Sequence, residues 1–253
     1  MANLILLGTG AALSDPQRTT TMLAFSENQN TVVVDCGGDV VQRLLSAQID
    51  LASIQHLIIT HEHPDHCGGF PLFLEKLWLF GRRHPLDVYA PEATIAFLKR
   101  AFDAFELFTW TGMPEIRYHT IDLHEGAPVL EDASWHINAS RTNHPPPTVG
   151  IRVSSKSSGK VVVYSCDTSP SDAITRLANQ ADIYIHEATE FEKDLPNVHS
   201  CVASAAKSAA EAQVKRLLLV HLPPKMTQQF VDEQAHPHFP NTELGEELGM
   251  YEF

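Results

Sequence analysis

"HLIITHEHPDHCGG", residues 56–69, is the stretch whose reading decides the fold. "HLIIT" (56–60) is short, apolar and β-branched, as a buried strand is. Directly behind it, His61, His63, Asp65 and His66 crowd into six positions. Side chains of this kind contribute little to a hydrophobic core, so packing explains them poorly. With 14 histidines in 253 residues, coincidence is also a poor account of an H-x-H-x-D-H pattern. Neutral imidazoles beside carboxylates at a strand end suit zinc or a related first-row divalent metal.

The same signal recurs further along the chain. His144 follows "WHINASRTN", Asp167 follows "VVVYSC" and His221 follows "RLLLV". Taken alone, His144 or His221 reads as an ordinary surface or core histidine. Together with the first cluster they make seven donors on four loops. Loops at strand ends that share one rim of a sheet can converge.

Around these points the chain alternates strands and helices. "NLILLG" (3–8) and "TVVVDC" (31–36) read as strands, and Val40, Val41, Leu44 and Leu45 mark a helix from Asp39 to Gln48. After Pro91, Leu98, Ala101, Phe102 and Phe105 form a helical stripe, read as core or as a contact between subunits. "IRYHTIDL" (116–123) and "SWHINAS" (134–140) alternate in twos, and "TVGIRV" and "KVVVYSC" follow as strands. Ser169, with Pro170 at the first helical position and Asp172 three residues on, reads as the cap of the helix "SDAITRLANQ". The strand "ADIYIH", the Ala-rich helix "SCVASAAKSAAEA" and the strand "RLLLV" complete the pattern. Two packed sheets with helices outside, in a single domain over residues 1–253, are expected.

Composition bounds the partners. No apolar run reaches the 18 or so residues that would cross a bilayer, and "MANLILLGTG" lacks a basic leader region, so the cytoplasm is the expected compartment and no membrane contact is expected. Cys36, Cys67, Cys166 and Cys201 are scattered without a C-x-x-C pair and read as small buried residues. The net charge of −13, with 18 basic residues, disfavours nucleic acid as a partner. "GRRHP" (81–85), the densest basic spot, reads as a solvated turn.

"THEHPDHCGG", "NHPPPTVGIRV", "VVVYSCDTSP", "IHEATE", His199-Ser200 and "LLLVHLPP" resemble, in order, the motifs of the metallo-β-lactamase superfamily. The start "LLGTGAALSDPQRTT", the H-E-A-T segment and the H-S pair make the chain most similar to its ribonuclease Z-like branch. The resemblance implies a four-layer αβ/βα sandwich with a metal site at the shared rim of two sheets. It further implies two divalent ions, zinc first with manganese or iron as alternatives. His61, His63 and His144 would hold one, Asp65, His66 and His221 the other, and Asp167 would bridge them. Two such ions can share a water whose pKa falls toward ~7, giving hydroxide at neutral pH. Asp65 is placed to orient or deprotonate that water.

The same branch gives His199 the role of proton donor or cationic partner at the leaving group, supported by Glu187. Without that resemblance, His199 reads as a helix-start residue with Ser200 as the N-cap. His186, one strand position from Glu187, would point the other way and reads as structural. A metal-dependent phosphodiesterase is the expected activity, on a small-molecule phosphodiester or an RNA 3′ end.

Departures from the branch matter. Residues 67–143 leave little room for the protruding arm that grips transfer RNA, Ser169 stands where arginine is usual, and Cys201 replaces a threonine. These departures weaken a transfer-RNA assignment and leave the metal chemistry untouched; a carboxylic, lactone, thioester or sulfate ester on the same site is the alternative substrate, and a non-catalytic metal- or metabolite-binding protein a more distant one. His63, where flavodiiron relatives carry glutamate, disfavours redox use. A homodimer is possible, with residues 97–108 as one candidate surface.

Overall fold

The computed structural model describes residues 1–253. The first half comprises β1 (Asn3–Gly8), β2 (Met22–Glu27), β3 (Asn30–Val34), α1 (Val40–Ser46), β4 (Ile54–Ile58), α2 (Pro64–Cys67), α3 (Phe70–Leu79), β5 (Leu86–Ala90), α4 (Glu92–Ala104) and β6 (Ile116–Thr120). The second comprises β7 (Ala127–Glu131), β8 (Trp135–Arg141), β9 (Val149–Ser155), β10 (Val161–Tyr164), α5 (Asp172–Leu177), β11 (Ile183–Glu187), α6 (Val202–Glu211), β12 (Leu217–Val220), α7 (Gln228–Ala235), β13 (Thr242–Leu244) and β14 (Met250–Glu252).

Two seven-stranded sheets result, in the orders β14-β1-β2-β3-β4-β5-β6 and β13-β12-β11-β10-β9-β8-β7. Inner faces rich in Val, Ile and Leu, with Phe25, Trp135 and Phe253 among them, pack the sheets against each other. On the outside of the first sheet α1, α3 and α4 bury Val41, Leu44, Phe73, Leu77 and Leu98. On the outside of the second, α5, α6 and α7 bury Ile174, Val202, Ala205 and Val231. The architecture is the four-layer αβ/βα sandwich. Its strands β3–β6 and β10–β13 run parallel within their sheets, so their C-terminal ends share a rim, where loops of open α/β sheets gather ligands.

Several expectations are corrected. The α5 cap is Ser171, not Ser169: Ser169 instead bonds through its backbone N–H to the Asn143 carbonyl, so the helix begins two residues later. The α6 cap is Cys201, not Ser200, whose hydroxyl donates to the Thr168 carbonyl at 2.7 Å. "GRRHP" is not wholly solvated. Arg82 is buried and donates to the carbonyls of Ile54, His84 and Pro85, because the chain turns around its guanidinium. Burial lowers its pKa to about 10. On α4 the buried face is Thr94, Ile95 and Leu98, while Phe105 lies past the helix end and is 64% exposed. β6 stops at Thr120, short of Leu123.

Candidate metal centre

The motif "HEHPDH" folds as a loop and one helical turn. Pro64, with φ preset and no N–H to lose, opens α2, and His66 and Cys67 donate their backbone N–H groups to the His63 carbonyl. Asp65 and His66 thereby leave on the turn, while His61 and His63 come off the preceding extended segment. The loop after β3 clamps this turn: Cys36 N–H donates to the His66 carbonyl at 2.7 Å. Gly37 allows it, since a Cβ there would sit 1.7 Å from the Asp65 carbonyl oxygen.

All seven expected donors meet at the rim. His61, His63, His144 and Asp167 form one group of potential ligand atoms within 4.8 Å of one another, and Asp65, His66 and His221 form another. Asp167 faces both. Its Oδ2 lies 3.9 Å from His61 Nε2 and 3.9 Å from His144 Nε2, and its Oδ1 lies 3.5 Å from both His66 Nε2 and His221 Nε2. Asp65 Oδ2 stands 3.3 Å from His221 Nε2 and 3.6 Å from His66 Nε2, and His63 Nδ1 stands 3.2 Å from His144 Nε2.

The protein engages the opposite ring nitrogen of four histidines. Asp35 Oδ2 is 2.8 Å from His66 Nδ1, and His144 Nδ1 donates to the Val198 carbonyl at 2.9 Å. Thr189 Oγ1 is 2.7 Å from His221 Nδ1, and Thr60 Oγ1 is 3.2 Å from His61 Nδ1. Such outer partners orient a ligating ring and select its tautomer. What remains inside has no partner: His61 Nε2, His66 Nε2 and Asp167 Oδ1 are buried without a hydrogen bond. Buried polar atoms rarely stay unsatisfied. This cluster of nitrogen and oxygen donors fits divalent metal ions.

Charge follows the same layout. Burial pushes Asp167 upward, but the imidazoles of His221, His66 and His61 outweigh it and hold its carboxyl well below the usual range. His66 moves the other way, because Asp167 and Asp35 overcome burial and raise it well above an ordinary histidine. Burial, reinforced by His66, takes His61 well below, and burial also lowers His144. Asp65 is lowered despite burial, chiefly by its hydrogen bond with His221.

Beside the cluster, His199 Nδ1 lies 2.9 Å from Glu187 Oε1. Glu187 is fully buried at the end of β11 and also accepts from Thr168 N–H and from Thr189 N–H and Oγ1. Burial would lower His199, but Glu187 and the charge of Asp167 raise it. His186 is buried on the neighbouring strand position, edge-on to Tyr184 and outside every donor group.

Asp35, Thr60 and Thr189 escaped the reading of the sequence. Asp35 carried a visible sign: an acid ending the apolar run "TVVVD" has no reason to be buried unless something pairs with it. It adopts φ 62°, and Cys166 and His221 similarly turn at φ 53° and 52°. Non-glycine residues in the left-handed region cost about 1–3 kcal/mol each and cluster at functional rims. The two threonines gave no sign beyond proximity to the motifs.

The architecture is that of the metallo-β-lactamase fold, with the donor cluster at its shared rim. The chain belongs to the beta-lactamase superfamily, whose domain model matches residues 30–222, from the strand before Asp35 to just past His221. A ribonuclease Z of Methanosarcina mazei is 24% identical over 281 positions, covering 90% of this chain and 89% of the relative. Among solved structures, the metallo-beta-lactamase fold protein YhfI of Bacillus subtilis superposes with a TM-score of 0.81 at 21% identity, over 99% of this chain and 98% of that one. The short form of human tRNase Z gives 0.80 at 24%, with the same coverage. No helix is long and apolar enough to cross a membrane.

Proposed function

We propose that this protein hydrolyses small phosphodiesters at a dinuclear centre. The observation that carries the proposal is Asp167: its two oxygens address two separate histidine groups at 3.5–3.9 Å, beside a His199–Glu187 pair. His61, His63, His144 and Asp167 would hold one ion, Asp65, His66, His221 and Asp167 the other, with zinc the best match to the donor set. Divalent ions held there supply Lewis acidity, lowering the pKa of a water toward ~7 and drawing charge from a phosphoryl oxygen.

The remaining work falls to the chain. Asp65 orients the attacking water by accepting its hydrogen bond. His199, with Nδ1 committed to Glu187, presents Nε2 to the departing oxygen and gives it a proton as the P–O bond breaks. The products are a phosphomonoester and an alcohol. Ribonuclease Z relatives favour a phosphodiester over other esters. A small substrate, rather than a transfer RNA, is favoured by the net charge of −13. It is also favoured by length: the 281-position match exceeds the 253 residues of this chain, so the relative carries segments absent here.

Metal analysis combined with turnover of bis(4-nitrophenyl) phosphate tests this. Fully metallated protein should cleave the diester, and a panel of carboxylic, lactone, thioester and sulfate esters should react far more slowly. Faster turnover of any of those, or none of the diester, removes the proposal.

A further inference from the structure

Next to the cluster, on the side of His144, lies a polar pocket of about 520 Å3. Its walls come from Arg141 at the end of β8 and the loop to Pro145, from Ser171 and Ala173 at the start of α5, and from Asn197. Arg141 ends β8 with an exposed side chain, and its guanidinium makes no ion pair and no hydrogen bond within the chain. Neighbouring arginines are committed: Arg152 on β9 to the carbonyls of Leu177 and Asn179, and Arg176 on α5 to Glu125. Thr142 also lines the pocket, with its hydroxyl buried and without a partner. Asn143 ties the floor together, donating from its side chain to the Pro170 carbonyl and accepting from Ser169 N–H. An uncommitted guanidinium beside a polar pocket is chemically suited to a phosphate.

The position of the pocket says which part of the substrate reaches it. Asn197 lies two residues before His199, and the intervening Val198 carbonyl holds His144. An alcohol departing past His199 would meet this wall. Resting on the hydrolysis proposed above, we propose that Arg141 makes this pocket a subsite for a terminal phosphate carried by the departing alcohol, so that the preferred substrates are phosphodiesters with a second, monoester phosphate. One free arginine in a bounded pocket suits one small dianion. A polynucleotide would need a track of cations, which an acidic chain with 18 basic residues does not supply here.

The experiment compares metallated wild-type protein with Arg141→Gln, an exposed position whose substitution leaves the core untouched. The turnover substrates are the uridine dinucleotides pUpU and UpU, with and without a 5′-terminal phosphate, and products are identified by chromatography. Arg141→Gln should lower kcat/KM for pUpU about tenfold to a hundredfold and leave UpU within about twofold. Equal effects on both, or none, overturn the subsite. Calorimetric binding of uridine 5′-monophosphate, which carries the terminal phosphate alone, decides the matter independently of turnover. Binding at least about tenfold weaker in Arg141→Gln supports the subsite even if neither dinucleotide is cleaved, in which case the hydrolytic proposal alone falls. Binding unchanged by the substitution overturns it. An RNA hairpin with a single-stranded 3′ tail that loses as much affinity as the mononucleotide would also overturn it, since the arginine would then read chain phosphates.

Discussion

Asp35 Oδ2 lies 2.8 Å from His66 Nδ1, both residues fully buried and 31 positions apart in the chain. The carboxylate also accepts from Thr60 N–H at 2.8 Å, so one side chain locks the ring of His66 to the start of the histidine loop. Burial raises Asp35, with His66 working against it. Removing this partner should loosen the metal centre without removing a ligand. Asp35→Asn is expected to weaken metal affinity by about tenfold to a hundredfold. Metal titration against a competing chelator measures it, and an affinity equal to wild type would show that the bond to His66 does not orient a ligand.

His199 and Glu187 act as one unit if the proposed proton transfer is right. His199→Ala should reduce kcat by about 10²–10⁴ while metal content stays that of the wild type. Glu187→Gln should reduce it less, and the double substitution should cost little more than His199→Ala, since the pair shares one function. Strictly additive losses in the cycle would separate the two roles.

Removal of metal should be felt in stability as well as activity. His61 Nε2, His66 Nε2 and Asp167 Oδ1 are buried without hydrogen-bond partners, with His66 Nε2 3.5 Å from Asp167 Oδ1. At a free ion concentration 1,000 times Kd, binding adds about 4 kcal/mol of stability. For a chain of this size that corresponds to a rise in Tm of roughly 8–16 °C. Calorimetry with and without chelator reads the difference, and restoration by zinc but not by calcium should follow from the nitrogen-rich donors.

Far from the centre, Asp132 fastens the loop between β7 and β8 to the first sheet. It accepts from Asn30 Nδ2 at 2.7 Å, from the N–H groups of Ser134 and Trp135, and meets His56 Nε2 at 3.2 Å. Burial works to raise this carboxyl, but those donors outweigh it and lower it below its ordinary value. A carboxyl depressed in the folded state stabilises above its unfolded pKa, and the effect disappears as pH falls through the folded value. Asp132→Ala should therefore lose about 2 kcal/mol at pH 7. Denaturant titrations should show the gap to wild type intact down to about pH 4 and closing below it.

The four cysteines are free and buried. Burial, aided by neighbouring acidic groups, pushes the Cys36 and Cys166 thiols well above their usual range and Cys67 to about 12. A thiol without thiolate character and without access is inert. Native protein at pH 8 should react with less than one equivalent of a disulfide-exchange reagent, and unfolded protein with four.

The two sheets and the first histidine loop could be read from the chain because their signals are local, whereas His144, Asp167 and His221 gained meaning only beside that loop, and the parallel pairing of the strands appeared only in the fold. A strand that must be buried is written in consecutive β-branched residues, and a histidine loop in an improbable density of imidazole. Where signals were short or depended on a partner, sequence was silent. β13 and β14 have three residues each and exist only because β12 and β1 offer them an edge. Ser169 and Ser200 looked like caps, yet their groups bond to Asn143 and Thr168, which lie 26 and 32 positions away.

Tertiary structure alone decided the outer partners of the site. Thr60 and Thr189 carry no sign in the sequence and Asp35 only that of an acid ending an apolar run; with the Val198 carbonyl they become necessary once four buried rings each require a fixed tautomer. The same holds for Arg141, whose importance lies in what it does not touch. Ligand identity is a matter of residue chemistry and is written in the chain. Orientation, burial and freedom from partners are properties of distances between segments remote in sequence, and only packing sets them.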